Sequence, residues 1–300
     1  MSATALALVL AAAVCHAAWN VIAHGVSRIG VPFLWWGAVA STAMWLPAVP
    51  LTGGLGAPPA EFWTGAVVSA VLHCAYSFVL QRGYAAGNLS TVYATARGSG
   101  PAIAVVAAIV WFGERPTAAE FAGIAVVIAG VVAIGLVDRD RRVAGVGTGA
   151  ADPERRRIGA RIDPGIAWGL LTGVAIAAYT VWDANAVREW GAAPVAYMVG
   201  TTFGEIVLFT ALLGRRAREL GGVWRAQWRR ILGFGALSPL AYILVLAAMT
   251  MAPLSLVAPL REVSVVLVSV FGVLVLREGR AGWRVGASVA VLAGVLLMTA

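Results

Sequence analysis

Long apolar runs recur along the whole chain, separated by short polar connections. Most runs contain about 20 residues, the length that a helix needs to cross a hydrocarbon core of about 30 Å. The pattern therefore predicts an all-α polytopic membrane protein with ten transmembrane helices. The predicted spans are about Ala3–Ala23, Val31–Leu51, Phe62–Gln81, Leu89–Phe112, Thr117–Val137, Gly165–Val187, Pro194–Gly214, Ile231–Met251, Leu254–Leu276 and Gly282–Thr299.

The second half of the chain repeats the first. Val127-Ile-Ala-Gly-Val131 matches Val291-Leu-Ala-Gly-Val295 at an offset of 164 residues. Each half contains five predicted spans, and because five is odd, the two halves enter the membrane in opposite orientations. We therefore expect two inverted five-helix repeats. Their boundaries are a first unit at residues 1–137, a charged flexible linker at 138–164 and a second unit at 165–300.

Composition supports this interpretation and excludes others. Only 12% of the 300 residues are charged, whereas soluble domains carry about 25%. All 22 basic residues are arginine, and without lysine the chain has no Walker A phosphate loop and no Schiff-base chemistry. The net charge of +8 lies mainly in connections beside apolar runs, which indicates membrane orientation and not nucleic-acid binding. The three histidines are scattered, so we expect no metal site, no cofactor and no enzyme activity.

The placement of the arginines predicts the orientation. Leaving out Arg97 and Arg261, which lie inside spans, 18 of the 20 others follow odd-numbered spans. Because positively charged connections stay in the cytoplasm, both termini are expected outside. One of these connections, residues 215–230, carries six arginines with Trp224 and Trp228, and we expect it to form a short helix along the membrane interface.

Two motifs place an arginine deep inside a predicted span. Arg97-Gly-Ser-Gly-Pro101 lies in the fourth span and Pro259-Leu-Arg261-Glu262 in the ninth. Helix-breaking residues at matching places in two halves predict interrupted helices and a transporter binding site. A charge near the membrane midplane is costly unless it has a partner. Either the guanidinium forks bind an anionic group of a substrate, or they pair internally with Glu262 or Glu205 and cap freed backbone carbonyls.

Polar pairs on the first and sixth spans add candidates. His16 and Asn20 are four residues apart and share a helix face, and Tyr179 and Asp183 repeat that spacing. The alternatives are a hydrogen-bonded packing histidine and an interfacial Asn or Asp held by water. The predicted substrate-binding residues are Arg97, Arg261, Tyr93, His16, Asn20 and Tyr179. The candidates for proton coupling are Glu262, Glu205 and Asp183, because desolvation favours a protonated carboxyl group.

Other polar and small residues are expected to be structural. His73 has no obvious polar partner, and Glu114 and Glu278 lie at helix ends beside arginines. Two glycine ridges are expected to allow close helix packing inside the molecule. The ridges are Gly165, Gly169 and Gly173 on the sixth span and Gly282 and Gly286 on the tenth.

Several of these features occur together in one known family. They are the two five-span repeats, His16-Ala-Ala-Trp19-Asn20, the motif from Gly87 to Gly98, and the glutamates Glu114 and Glu278 at the repeat ends. In these features the chain resembles the EamA family of the drug/metabolite transporter superfamily. The resemblance implies a ten-helix basket with a central cavity lined mainly by spans 1–4 and 6–9. Members with assigned roles move amino acids, other metabolites or drugs, often outward, and many have cytoplasmic termini, the reverse of the orientation predicted here.

The combined prediction is a secondary transporter of the bacterial cytoplasmic membrane. It would export a small polar or anionic metabolite, amino acids being one such class, by alternating access, with proton coupling as an option. A membrane scaffold or accessory subunit without transport, and a flippase for lipid-linked sugars, are the alternatives. The expected partners are a small-molecule substrate and the lipid bilayer, without nucleic acid, in a monomer or homodimer.

Overall fold

The computed structural model describes residues 1–24, 26, 29–86, 89–145, 164–274 and 281–299. Within these ranges every long element is a helix, and no described residue lies in a β-strand. The helices are α1 (Ala3–His24), α2 (Val31–Trp45), α3 (Pro59–Ala86), α4 (Leu89–Phe112), α5 (Ala118–Gly145), α6 (Pro164–Arg188), α7 (Pro194–Leu213), α8 (Leu220–Met249), α9 (Leu254–Leu260), α10 (Val263–Leu274) and α11 (Ala281–Thr299).

Five helical stretches are long and apolar enough to cross a membrane. They are Ala3–Ile22, Pro59–Ala86, Thr91–Phe112, Pro164–Arg188 and Pro194–Met249, the last of which contains both α7 and α8. Shorter apolar helices cover Ala118–Ile134 and Val285–Thr299. Large apolar side chains such as Val110, Trp111 and Leu296 are exposed, which suits a lipid-facing surface. The predicted span positions all contain helix, whereas a membrane crossing by each of the ten stays a prediction.

The helices of the two halves pack mainly against each other. In the contacts of the described residues, α1 lies on α8 and α3 lies on α6, which is the same pairing with the two halves exchanged. In the same way, the contact of α4 with α6 has its counterpart in that of α1 with α10. The remaining cross-half contacts include α2 with α7 and α5 with α11. Reciprocal pairs of this kind are what two similar units related by a two-fold axis produce.

Glycines bring α4 and α6 into close contact. A Cβ added at Gly173 would lie 2.0 Å from the hydroxyl of Ser99, and one at Gly169 would lie 2.6 Å from Thr95 Cβ. Internal packing of the ridge on α6 is thus confirmed at these two positions. The prediction of close internal packing is wrong for Gly282 and Gly286, because a Cβ added at either glycine meets nothing within 4 Å among the described residues.

The connections form two groups at opposite ends of the molecule. At one end, the backbone N–H of Ala193 donates to Leu55 O at 3.0 Å. At the other end, Arg216 donates to Ile29 O at 2.9 Å. We call the first end the Glu114 face, because the connection after α4 also lies there, and the second the Arg216 face. The predicted topology places these same two sets of connections on opposite sides of the membrane.

Apolar packing is concentrated toward the Glu114 face. The largest buried cluster of the described residues contains the start of α1, the ends of α4, α6 and α8, and the start of α7, with members such as Val9, Ala108 and Leu246. The cluster near the Arg216 face is small and centres on Val26, Phe33, Ala40 and Ile231. The described part of the molecule is therefore closed more tightly at the Glu114 face.

Only one of the two predicted helix interruptions is present. Helix α4 continues without a break through Arg97 and Pro101. Proline removes one hydrogen bond, but the neighbouring turns and the close contact with α6 keep the helix intact. In the second half, the chain leaves the α-helix between α9 and α10. There Glu262 N–H bonds to Pro259 O and Val265 N–H to Glu262 O, three residues apart in each case.

Two expected connections are more helical than predicted. Helix α5 extends to Gly145, past the expected start of the linker at residue 138, while residues 146–163 lie outside the described part. The segment from residue 215 to 230 is not a separate interfacial helix. It consists of the 3₁₀ segment Gly214–Glu219 followed by the first turns of α8. Glu278 also lies outside the described residues, so its predicted structural role stays a prediction.

Candidate functional site

The two intramembrane arginines meet at one carboxylate between the halves of the chain. Nη1 of Arg97 lies 3.3 Å from Oε2 of Glu262, and Nε of Arg261 lies 3.8 Å from Oε1 of the same residue. The side chain of Glu262 is only 2% exposed, that of Arg261 7% and that of Arg97 11%. We call these three residues the arginine centre. Because it holds two cations and one anion, it carries a net positive charge inside an apolar fold.

The break between α9 and α10 makes this geometry possible. On a regular helix, side chains of successive residues diverge by about 100° and do not face each other. Here Arg261 closes a helical turn by donating its N–H to Val257 O, while Glu262 already belongs to a tighter turn. The change of helical form accompanies a contact of Glu262 with Arg97 of α4 and of Arg261 with Tyr179 of α6. The sequence motif thus predicted the polar break, and the break explains why adjacent residues reach the same site.

His16 and Tyr93 extend the site on the Arg97 side. Nη2 of Arg97 lies 3.2 Å from Nε2 of His16, and the Arg97 guanidinium lies 5.3 Å from the centre of the Tyr93 ring. A guanidinium has only donors, so Nε2 of His16 accepts and the imidazole proton lies on Nδ1. Asn20 instead donates to the backbone oxygen of His16 at 2.7 Å. It supports the helix that carries His16, and none of its recorded contacts reaches an arginine.

Arg261 is buried, and its guanidinium is not fully hydrogen-bonded within the described residues. Its Nη2 donates to the hydroxyl of Tyr179 at 3.5 Å, a long distance for such a bond. Its Nε has no hydrogen-bond partner among the described residues. Buried polar groups are almost always hydrogen-bonded, so this guanidinium fork is suited to accept an additional anionic partner.

A second polar cluster lies on the other side of Tyr179. The carboxylate of Asp183 is fully buried and accepts hydrogen bonds from Tyr197 at 2.8 Å and from Tyr242 at 2.5 Å. Its Oδ2 lies 4.0 Å from Nε2 of His73. We call Asp183, His73, Tyr197 and Tyr242 the Asp183 cluster. The ring of His73 stacks on Tyr179 with the centroids 4.2 Å apart, which joins the two clusters.

Three residues of this cluster were missed as site residues. His73 was expected to be structural, although Ser69 precedes it by four residues and its backbone oxygen lies 2.9 Å from Nδ1. Tyr242 has a sequence signal, because Ala241-Tyr242-Ile-Leu-Val-Leu246 matches Ala75-Tyr76-Ser-Phe-Val-Leu80. Both tyrosine rings lie near Tyr179. Tyr197 carries no comparable signal, since a tyrosine in an apolar run is usually a packing residue.

Glu205 does not join the arginine centre. It interacts electrostatically with His73 and Asp183, and its side chain makes no ion pair with another described residue. Internal pairing of the arginines therefore uses Glu262 and not Glu205. Among the described residues, no group of three His, Cys, Asp or Glu side chains is arranged to hold a metal ion.

Glu114 ties three helices together at its face. Its carboxylate accepts the backbone N–H groups of Leu254 and Ser255 at 2.8 Å each, at the start of α9, and pairs with Arg188 at the end of α6. Burial alone would raise the pKa of Glu114, but the hydrogen bonds from Ser255, Arg188 and Leu254 outweigh it and lower the pKa below 4.5. These contacts agree with the structural role expected from the sequence.

The fold and the site define a multi-pass α-helical membrane protein with a charged centre between two halves. Residues 163–300 match the model of the EamA-like transporter family. This match covers the second half of the chain and supports an EamA-like transporter of the drug/metabolite transporter superfamily, as the sequence resemblance implied. A solved crystal structure of another protein has 17% sequence identity and a TM-score of 0.72, and the match covers 100% of this chain and 97% of that one. At this identity the likeness shows the fold alone. Comparison with curated proteins finds no match.

Proposed function

We propose that the chain is a secondary transporter that binds a small anionic or polar metabolite at the arginine centre. The observation that carries this proposal is the buried Arg261 fork, whose Nε has no hydrogen-bond partner among the described residues. Its position at the junction of the two halves suits a substrate that must be released to either side. Arg97 would share the anion with Arg261, and Glu262 would hold the two cations together while no substrate is bound.

Alternating access requires two arrangements of the same halves. We propose that the two five-helix units form an inverted repeat of ten spans and that they exchange access to the arginine centre. The reciprocal helix contacts between the halves support this arrangement. The tighter apolar packing and the Glu114 contacts favour a conformation closed at the Glu114 face. By the arginine distribution, the opposite face would be cytoplasmic, in a bacterial cytoplasmic membrane.

A thermal-shift experiment on the purified full-length chain tests the substrate class. The panel contains amino acids, organic acids, phosphonates and cationic drugs. A ligand that binds only the native state raises the melting temperature, with about 2.7 kcal/mol of stabilisation at 100 times its Kd. We expect anions to stabilise the wild type and to lose this effect in Arg261→Gln. Arg261→Lys should retain part of it, because it keeps the charge but not the fork.

The matched control is Arg216→Gln, which removes an exposed arginine in the connection before α8. This variant should respond to anions as the wild type does. Stabilisation by cations alone, or equal stabilisation by anions in Arg261→Gln, would contradict the proposal. A scaffold without transport would keep its cellular function in both Arg97→Gln and Arg261→Gln, whereas a transporter of anions would lose it. A flippase would respond to lipid-linked sugars and not to the soluble anions of the panel.

A further inference from the structure

The Asp183 cluster holds a buried acid without a close arginine. The Asp183 carboxylate is 0% exposed, and within the described residues the recorded basic partner is His73, at 4.0 Å. Two tyrosine hydroxyls donate to its two oxygens. Such a group is costly to keep ionised inside a membrane protein unless a proton or cation accompanies it. The cluster is formed by α3, α6, α7 and α8, so it contains residues of both halves.

The hydrogen bonds of His73 determine how it faces this acid. Nδ1 lies 2.9 Å from the backbone oxygen of Ser69, which can only accept, so Nδ1 carries a proton. In a neutral imidazole Nε2 would then present a lone pair to Oδ2 of Asp183, and the two acceptors would repel each other. The contact becomes favourable when one proton is added, either on Nε2 of His73 or on the Asp183 carboxylate. The geometry thus fits a pair that holds a proton.

Tyr179 connects this pair to the arginine centre. Its ring stacks on the ring of His73, and its hydroxyl accepts from Nη2 of Arg261. Only one side chain therefore separates the imidazole from the guanidinium that we propose as the anion site. Charges this near to each other inside an apolar protein interact strongly, because little water screens them.

We infer that His73 and Asp183 hold one transported proton between them, and that this proton binds together with the anion at Arg261. The inference rests on the proposed function. An anion at Arg261 cancels positive charge beside the pair and so favours its protonation, and the added proton favours the anion in return, since coupling between two sites is reciprocal. The proton comes from water at one face and returns to water at the other, and only N–H or O–H bonds form and break.

Other titratable groups also lie around the pair of His73 and Asp183. Glu205 of α7 interacts with both His73 and Asp183, and Tyr197 of α7 and Tyr242 of α8 donate to Asp183. Tyr179 of α6 covers the imidazole ring. The side chain of His73 is 16% exposed, whereas that of Asp183 is fully buried, so His73 offers the route by which a proton enters.

The first experiment needs no ligand. The melting temperature of the full-length protein in one detergent is measured from pH 5 to pH 8 for wild type, His73→Gln, Asp183→Asn and the double variant. The pH dependence of stability reports the difference in bound protons between the folded and unfolded states. If the pair shares one proton, both single variants change the shape of the profile, and the two changes do not add in the double variant.

The control for this experiment is Thr64→Ala, which changes an exposed residue that does not titrate on α3, the helix that carries His73. Because this variant removes no titratable group, it should keep the shape of the wild-type profile. A purely structural role of Asp183 predicts that Asp183→Asn changes the melting temperature by the same amount at every pH, and that result would overturn the inference. Profiles of the single variants that add up in the double variant would also overturn it, because they would indicate two independent protons.

The second experiment counts protons directly. Sulfate is added to the weakly buffered protein near pH 7, a pH indicator reports proton uptake, and chloride at equal ionic strength is the control. We expect uptake of up to about one proton per protein in wild type and loss of this uptake in Asp183→Asn. Sulfate that raises the melting temperature without proton uptake would overturn this inference and leave the proposed function standing. If no anion in the panel binds, the proposed function fails, while the pH profiles still decide whether the pair holds a proton.

Discussion

Glu262 and Arg97 lie 165 positions apart in the sequence, yet the carboxylate of one is 3.3 Å from the guanidinium of the other. The contact joins the break between α9 and α10 to the unbroken helix α4. It brings together the two halves of the chain at the point where the arginine of each half is buried. Glu262 therefore acts as the counter-ion for both halves.

Removing this counter-ion should destabilise the protein strongly. Glu262→Gln leaves two buried guanidinium groups without a carboxylate, and breaking a buried ion pair from one side costs about 3–5 kcal/mol. The double variant Arg97→Gln/Glu262→Gln should be less destabilised than the sum of the single variants. Each single variant already removes the ion pair between the two residues, so the second mutation cannot remove it again. Thermal denaturation of the four proteins in one detergent measures this coupling. Additive effects would mean that the pair contributes nothing as a pair.

Glu114→Gln should weaken the closed Glu114 face. The neutral amide keeps one acceptor oxygen but loses the ion pair with Arg188, so we expect a loss of about 1–3 kcal/mol. The variant Ser255→Cys should then react faster with a soluble maleimide in the protein that carries Glu114→Gln than in the protein that retains Glu114. Glu219→Gln is the matched control, since it removes a carboxylate from an exposed ion pair at the other face. An unchanged reaction rate in Glu114→Gln would show that the Glu114 contacts do not keep this face closed.

The Glu114 contacts also predict a pH dependence. The pKa of Glu114 in the folded protein is lowered below its ordinary value of 4.5, so its ionised form stabilises the fold above that pH. As the pH falls below about 4.5 toward the folded pKa, this contribution is lost. Melting temperatures of wild type should therefore fall more steeply than those of Glu114→Gln in this range. Parallel curves for the two proteins would contradict the assignment.

The glycine contact between α4 and α6 predicts a contrast between two alanine variants. Gly173→Ala would place Cβ 2.0 Å from Ser99 Oγ, which is itself held by a 2.6 Å bond to Thr95 O. Overpacking of this kind costs about 1–3 kcal/mol. The Cβ of Gly286→Ala meets no described residue within 4 Å, so this variant should be neutral or slightly stabilising, because alanine favours helix. Equal melting temperatures of the two variants would mean that α4 and α6 do not pack this closely.

The predicted orientation is tested by labelling intact cells. In a background without Cys15 and Cys74, a cysteine at Leu51 and one at Arg218 occupy opposite ends of the molecule, because Trp36 near the start of α2 contacts Leu220 O. If the arginine-rich connections are cytoplasmic, an impermeant maleimide labels Leu51→Cys and not Arg218→Cys. The reverse pattern would place both termini in the cytoplasm, as in many relatives that the sequence resembles.

Coupling of the anion to a proton has a consequence for direction. A proton and an anion that bind together move together, so a more acidic exterior would drive both inward. This is the opposite of the export that the sequence resemblance implies. Reconstituted vesicles with an imposed pH gradient distinguish inward transport from export. If the proton and the anion move together, the anion should accumulate in vesicles with an alkaline interior.

The linear sequence contains the pattern that builds the helices and the charges that lie among them. Apolar runs about 20 residues long can satisfy their backbone in a bilayer only as helices, so their positions follow from composition alone. A repeated arginine in such a run cannot face lipid, so Arg97 and Arg261 were recognisable as interior groups. The same reasoning misjudged the break at Pro101, because a proline interrupts a helix only where packing does not hold the neighbouring turns.

What the tertiary structure decided is which of these groups meet. Glu262 and Glu205 were equally buried candidates in the sequence, but the break after α9 turns Glu262 toward the arginines, whereas Glu205 on α7 lies near His73. Tyr197 and Tyr242 reach Asp183 from two further helices, and only the packing of α6 against them shows it. Local periodicity determines which face of a helix a residue occupies, whereas the neighbour on that face depends on contacts between different helices, which join residues from 14 to 165 positions apart in these clusters.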